Sequence, residues 1–170
     1  LQFYYRYIAG LKEPEEVTEN VDLPLFGSLL HKAIQLLYEP YRKNNNQITP
    51  EELKKLENND NLIEARIMDA FREEYFSDFP ANKKINLSGK NLLIKDIIHQ
   101  YIKQFLHVEQ KFAPFLPLSL EEKWQTSLEF SVAGEDKNVV IQGDIDRVDE
   151  NASGIRIIDY KTGQPKQSFK

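Results

Sequence analysis

The sequence predicts a mixed α/β domain in which a helical first part is followed by a β-meander. Three observations predict it. Apolar residues recur at helical spacing as far as Phe105. From Gln125 onward the pattern changes to alternation and to runs of β-branched residues. Turn-forming clusters then divide this second part into three strands.

Taken in order, Leu1-Gln-Phe-Tyr-Tyr-Arg-Tyr-Ile reads as an aromatic helix already under way, with Gly10 as its stop. No N-cap precedes it, so the chain is expected to be a fragment whose true start lies upstream. Residues 11–25 read as a loop broken by Pro14 and Pro24. A helix is predicted from about Phe26 to Tyr38, with Leu29, Leu30, Ala33, Ile34 and Leu37 as its buried stripe and Pro40 limiting it. Thr49-Pro50-Glu51-Glu52 has the form of a capping box with proline at the first helical position, which opens a short helix to about Glu57. Ile63, Ile67, Ala70, Phe71 and Tyr75 mark another amphipathic helix. After a loop-like stretch from Ser77 to Gly89, residues Ile94, Ile97, Ile98, Tyr101, Ile102 and Phe105 mark a long apolar helix ending before Pro114. Strands are predicted over Gln125–Val132, Asn138–Val148 and Gly154–Lys161. Turns are predicted at Gly134–Lys137 and Asn151–Gly154.

A length of 170 residues fits one domain with a real core. Hydrophobic residues make up 41 % and charged residues 29 %, as in ordinary globular proteins. No apolar run approaches a membrane span, and no charged-then-apolar leader precedes the first residues, so no membrane partner and a cytoplasmic location are expected. The absence of cysteine excludes disulfides and thiolate metal ligands within the chain, and it fits a reducing compartment. The net charge of −5 argues mildly against a free-standing nucleic-acid binder, which is usually basic. Acidic residues that bind cations would soften that argument.

Two acidic patches face each other across the last predicted hairpin: Gly143-Asp-Ile-Asp-Arg-Val-Asp149 and Ile157-Ile-Asp-Tyr-Lys-Thr-Gly163. Alternation along a strand puts Asp159 and Lys161 on one side and Tyr160 on the other. Antiparallel pairing around Asn151–Gly154 brings Asp146 near Asp159. Two adjacent carboxylates repel each other unless compensated, and an oxygen-rich pair selects Mg²⁺ or Mn²⁺. A neighbouring lysine can orient or deprotonate water, or stabilise charge developing on a phosphate. Either patch alone reads equally well as an edge strand with solvated charges. Both together, in order on consecutive strands, point to phosphodiester chemistry.

These residues resemble the PD-(D/E)XK nuclease superfamily, and within it the RecB/AddB-type nucleases. That group's pattern is matched by Gly27-Ser-Leu-Leu-His31 on a helix, Gly143-Asp-Ile-Asp146 on one strand and Asp159-Tyr-Lys161 on the next. The opening Phe3-Tyr4-Tyr5-Arg6-Tyr7 also looks like the aromatic helix that begins the family's domain. The resemblance implies a restriction-endonuclease-like mixed sheet with flanking helices, truncated at its C-terminus. Residues 1–170 would form a single domain fragment, with a helical subdomain over about 40–115 and a catalytic meander over about 124–163. It implies that Asp146 and Asp159 bind Mg²⁺ or Mn²⁺ with His31 and the backbone carbonyl of Tyr160, and that Lys161 is the catalytic lysine. Asp144 matches a variable position and is not counted. Without the resemblance, His31 reads as a residue flanking the buried stripe. His99 and His107 read as structural.

Two departures matter. The family's Gln-x-x-x-Tyr helix is not found after Lys161, so the fragment is expected to be inactive alone if that helix is needed. Some relatives hold an iron–sulfur cluster through four cysteines, and this chain supplies none of them. The function implied is a metal-dependent deoxyribonuclease, more readily an exonuclease than an endonuclease, joined to helicase or helicase-like partners in DNA repair and recombination. The alternatives are a non-catalytic DNA-binding or scaffolding module that keeps the fold, and a helical interaction domain with a decorative hairpin.

Overall fold

The computed structural model describes residues 21–80, 84–132 and 135–162. The predicted aromatic helix over residues 1–8 lies outside them. Four helices precede a three-stranded sheet: α1 (Leu23–Lys43), α2 (Pro50–Glu57), α3 (Asp60–Glu74), α4 (Lys90–Glu109), β1 (Leu116–Val132), β2 (Glu135–Asn151) and β3 (Gly154–Ile158). The sheet order is β1-β2-β3, antiparallel throughout. This mixed α/β arrangement is consistent with a restriction-endonuclease-like fold.

Local chemistry sets the helix starts. The Asp22 carboxylate accepts from the Leu25 N–H at 2.9 Å, and Pro24 sits in the first turn where its missing donor costs nothing. At α2 the capping box closes in both directions: Glu52 N–H donates to the Thr49 hydroxyl at 3.3 Å, and Thr49 N–H donates to the Glu52 carboxylate at 2.9 Å. The stripe Leu29, Leu30, Ala33, Ile34, Leu37 is buried against Ile63, Ile67 and Phe71 of α3. Helix α1 also packs on β1, so it links the helical layer to the sheet.

Several expectations are corrected. Helix α1 does not stop near Pro40 but runs through it to Lys43. Side chains hold the turn beyond the proline: Arg42 grips Glu39 with two hydrogen bonds of 2.7 and 2.9 Å, and the Asn44 side-chain amide donates to the Pro40 carbonyl at 2.8 Å. On α4, Ile97 and Tyr101 are exposed, because the buried stripe is Ile98, Ile102 and Leu106, about 100° further round the helix. The first strand starts at Leu116 rather than Gln125, and Glu135–Lys137 belong to β2 rather than to a turn. The Ser131 hydroxyl donates to Asp136 across the ladder and holds it closed there.

The β2–β3 turn is as expected. Asn151 pairs with Gly154, whose φ of +117° requires glycine, and the Asn151 side chain accepts from Ser153 N–H at 2.8 Å. Strand β3, however, ends at Ile158, three residues before its predicted end. The reason lies in the site.

Candidate metal centre

The register builds this centre. Leu120 pairs with Arg147 and Glu122 with Ile145, so Glu121 stands opposite Asp146 across β1 and β2. On the next strand Arg147 pairs with Ile158. Continuing that register sets Asp159 beside Asp146, but the ladder stops there. The Asp146 carboxylate itself accepts the Tyr160 N–H, at 2.5 Å. A side chain has taken the place of a strand partner, which frees Asp159, Tyr160 and Lys161 from the sheet while keeping them against it.

Helix α1 supplies His31 from the other side. Its Nδ1 lies 3.2 Å from a Glu121 oxygen and 3.7 Å from an Asp146 oxygen. Each of the three residues offers one ligand atom, and these atoms all lie within 4.8 Å of one another. The hydrogen bond to Glu121 raises the His31 pKa above its ordinary value. Burial opposes the rise, and the nearby Asp146 charge and a backbone hydrogen bond to Tyr160 add to it. The Tyr160 backbone thus lies beside this imidazole as well as beside Asp146. The Tyr160 ring meets the His31 ring edge-on, with centroids 5.2 Å apart.

Glu121 has φ of +51°, a left-handed conformation that L side chains other than Asn and Asp seldom adopt. Such strain is of order 1–3 kcal/mol and persists only where its surroundings impose it. Here it turns a carboxylate toward His31 from within a strand.

The predicted residues divide into two groups. His31, Asp146 and the Tyr160 backbone come together. Asp159 and Lys161 form a second, outer pair: Lys161 Nζ donates to Asp159 at 2.8 Å, with side chains 71 % and 59 % exposed. Asp159 is not one of the three clustered ligands. The bond to Asp159 raises the Lys161 pKa, and the charge of Asp146 reaches it as well, so the ammonium sits at the edge of the cluster. Asp144 is exposed and pairs in register with Lys123. His99 and His107 lie against Asp60 and Glu57, at 3.3 and 3.4 Å, in surface seams between helices.

Glu121 is the residue that reading by sequence missed. The expected strand began at Gln125, which left Glu121 in a loop. Counting outward from the hairpin tip would have set it opposite Asp146.

The donor set suits a divalent cation. Two carboxylates and a carbonyl are hard oxygen donors, and a single imidazole nitrogen is tolerated better by Mn²⁺ than by Mg²⁺. Next to the cluster, a groove of about 460 Å³ runs along α1, lined by Gly27, Ser28, His31, Lys32, Gln35 and Glu121, with Glu74 of α3 opposite. Among the described residues, no helix is long and apolar enough to cross a membrane.

The family model of the PD-(D/E)XK nuclease superfamily matches residues 1–170. No curated protein matches the chain.

Proposed function

Since the chain belongs to the PD-(D/E)XK nuclease superfamily, whose members are metal-dependent nucleases, we propose that it is a deoxyribonuclease domain of the RecB/AddB type. It hydrolyses DNA phosphodiester bonds at the His31–Glu121–Asp146 centre, as an exonuclease attached to helicase or helicase-like partners in DNA repair and recombination. The observation that carries this reading is the convergence of His31, Glu121 and Asp146 beside the Tyr160–Lys161 segment.

His31, Glu121, Asp146 and the Tyr160 carbonyl would hold Mg²⁺ or Mn²⁺. When bound there, the cation polarises a phosphoryl oxygen and acidifies a water. The chain's own residues do the rest. Asp146 is oriented by the Tyr160 N–H. Asp159 keeps the proton on Lys161, which favours an electrostatic role for that ammonium, orienting the water and countering charge on the phosphate, over a role as general base. Asp159 then acts chiefly through Lys161. The groove along α1 opens beside the centre, and Lys32 lies on its wall.

The test is cleavage of end-labelled DNA with Mg²⁺ or Mn²⁺, on this chain and on one extended past Lys170. Asp159→Ala and Lys161→Ala are expected to abolish cleavage and leave DNA binding intact. DNA binding without metal-dependent cleavage in the extended chain, unchanged by either substitution, would establish the scaffolding alternative instead.

A further inference from the structure

Among the described residues, the charges most completely withdrawn from water are Arg147 and Asp149, neither of them a proposed ligand. Arg147, the neighbour of Asp146 on β2, has a side chain with 0 % exposure. Its guanidinium is ringed by aromatic residues, with Phe115, Tyr38 and Phe105 centroids at 5.1, 5.2 and 5.6 Å. One nitrogen donates to the buried Glu109 of α4. Nε lies 3.0 Å from an Asp149 oxygen, a charge contact not aligned as a hydrogen bond. The remaining arm, Nη1, donates to the Tyr160 hydroxyl at 3.0 Å.

An apolar cluster of similar volume in place of Glu109, Arg147 and Asp149 together would generally fill such a site without the desolvation penalty. What it could not do is hold a phenol. Tyr160 lies beyond the end of β3, where no ladder bond fixes its backbone. Two successive residues of β2 hold it instead: Asp146 takes its N–H, and Arg147 takes its hydroxyl. Phe105 also packs edge-on against the ring, with centroids 5.4 Å apart. Any slip of Tyr160 would release one oxygen of Asp146 and draw the Tyr160 backbone away from His31.

We propose that Arg147 is a positioning residue for the metal centre. Acting through the Tyr160 phenol, it fixes the backbone that orients Asp146 and presents the Tyr160 carbonyl, although its guanidinium meets neither cation nor substrate. The inference rests on the metal-centre reading above. It adds that the affinity of that centre is set from inside the core, by the Glu109–Arg147–Tyr160 chain.

Tyr160→Phe deletes the hydroxyl alone and keeps the ring. Mn²⁺ titration of the metal-free full chain, followed by electron paramagnetic resonance, should show binding weakened by about tenfold or more, the usual effect of losing a group that orients a ligand. Exchange of the Tyr160 amide should quicken while amides within β2 and β3 keep their rates. Where cleavage is measurable, kcat at saturating Mn²⁺ should fall with KM for DNA unchanged. Ile102→Val, in the core of α4, should lower the unfolding midpoint without moving Mn²⁺ affinity, which separates positioning from general destabilisation. Arg147→Lys keeps the charge but not the fork, so it should behave like Tyr160→Phe, and the double variant should be no worse than either. Wild-type Mn²⁺ affinity in Tyr160→Phe would overturn the proposal. So would a Tyr160 amide that exchanges freely in the wild-type protein. Absence of Mn²⁺ binding by the wild type would instead refute the metal-centre reading, and amide exchange would still decide whether Arg147 holds Tyr160.

Discussion

Replacing Glu121 by glutamine is expected to change the stability of the metal-free protein in opposite directions on either side of the His31 pKa. The substitution keeps size and backbone and removes one charge. Two interactions disappear together. One is repulsion from Asp146, whose ligand atom lies within 4.8 Å; at an effective dielectric near 20 this amounts to ~3.5 kcal/mol. The other is attraction to protonated His31 at 3.2 Å, which on the same scale is ~5 kcal/mol. Water reaches the Glu121 side chain, which is 28 % exposed, and roughly halves both figures.

The His31 pKa is raised in the folded protein above its ordinary 6.5. The stabilisation from its charge is therefore fully present below 6.5 and is lost as pH rises through the folded value. At about pH 6 the attraction outweighs the repulsion, and Glu121→Gln should destabilise by roughly 1 kcal/mol. At about pH 9 His31 is neutral, only the repulsion remains, and the substitution should stabilise by roughly 1–2 kcal/mol. For a chain of this size that corresponds to a midpoint change of roughly −2 to −4 °C and then +2 to +8 °C. Thermal unfolding of both proteins at the two pH values, with and without Mn²⁺, is the assay. Added Mn²⁺ should reverse the alkaline ranking, since the wild type binds it more tightly and gains more from it. The same shift at both pH values, or equal stabilisation by Mn²⁺, would refute the argument that these three groups share one site.

Two further outcomes follow from the same geometry. Arg147→Met should lower stability by roughly 3 kcal/mol in urea unfolding, because the buried Glu109 loses its hydrogen-bonded counter-charge and only Arg156 is left to face it and Asp149; a loss below about 1 kcal/mol would mean that Arg156 or water takes over. Mn²⁺ affinity should rise with pH as His31 loses its proton, with a midpoint above 6.5, and in His31→Gln that rise should disappear.

The parts of the fold that could be read from the sequence are those fixed by neighbours in the chain. The Thr49–Glu52 box and the Leu29–Leu37 stripe involve contacts within one helix, and both stand as expected. The Asn151–Gly154 turn is likewise local, and it fixes the register that sets Asp146 opposite the end of β3. What escaped depends on contacts between distant segments. Pro40 reads as a terminator until Glu39, Arg42 and Asn44 are seen to hold the turn beyond it. Ile97 and Ile98 are equally apolar, and only the packing of α4 decides which of them is buried. Alternation predicts that β3 continues to Lys161, whereas a carboxylate from β2 captures the Tyr160 N–H and ends the ladder. Glu121 combines both difficulties, since it needs the hairpin register and a backbone conformation that its residue type disfavours.

The acidity of the chain also looks different once its charges are placed. A net charge of −5 gives the protein little general pull on phosphate, and among the described residues Lys32 and Lys161, the one on the groove wall and the other beside the centre, already have partners: Lys32 with Glu73 at 2.7 Å, Lys161 with Asp159 at 2.8 Å. Glu121, Asp146 and Asp159 surround the place where the proposed scissile phosphate would lie, and their negative charge exceeds what Lys161 can balance. A divalent cation held by His31, Glu121 and Asp146 changes that sum by two units at one point, which is enough to turn a repelling surface into an accepting one. On the proposed reading, the same carboxylates that keep the metal-free protein from attracting DNA are those that make it attract DNA when loaded. Substrate recognition and chemistry would then answer to one binding event, and Arg147, which anchors Tyr160 from within the core, would govern both.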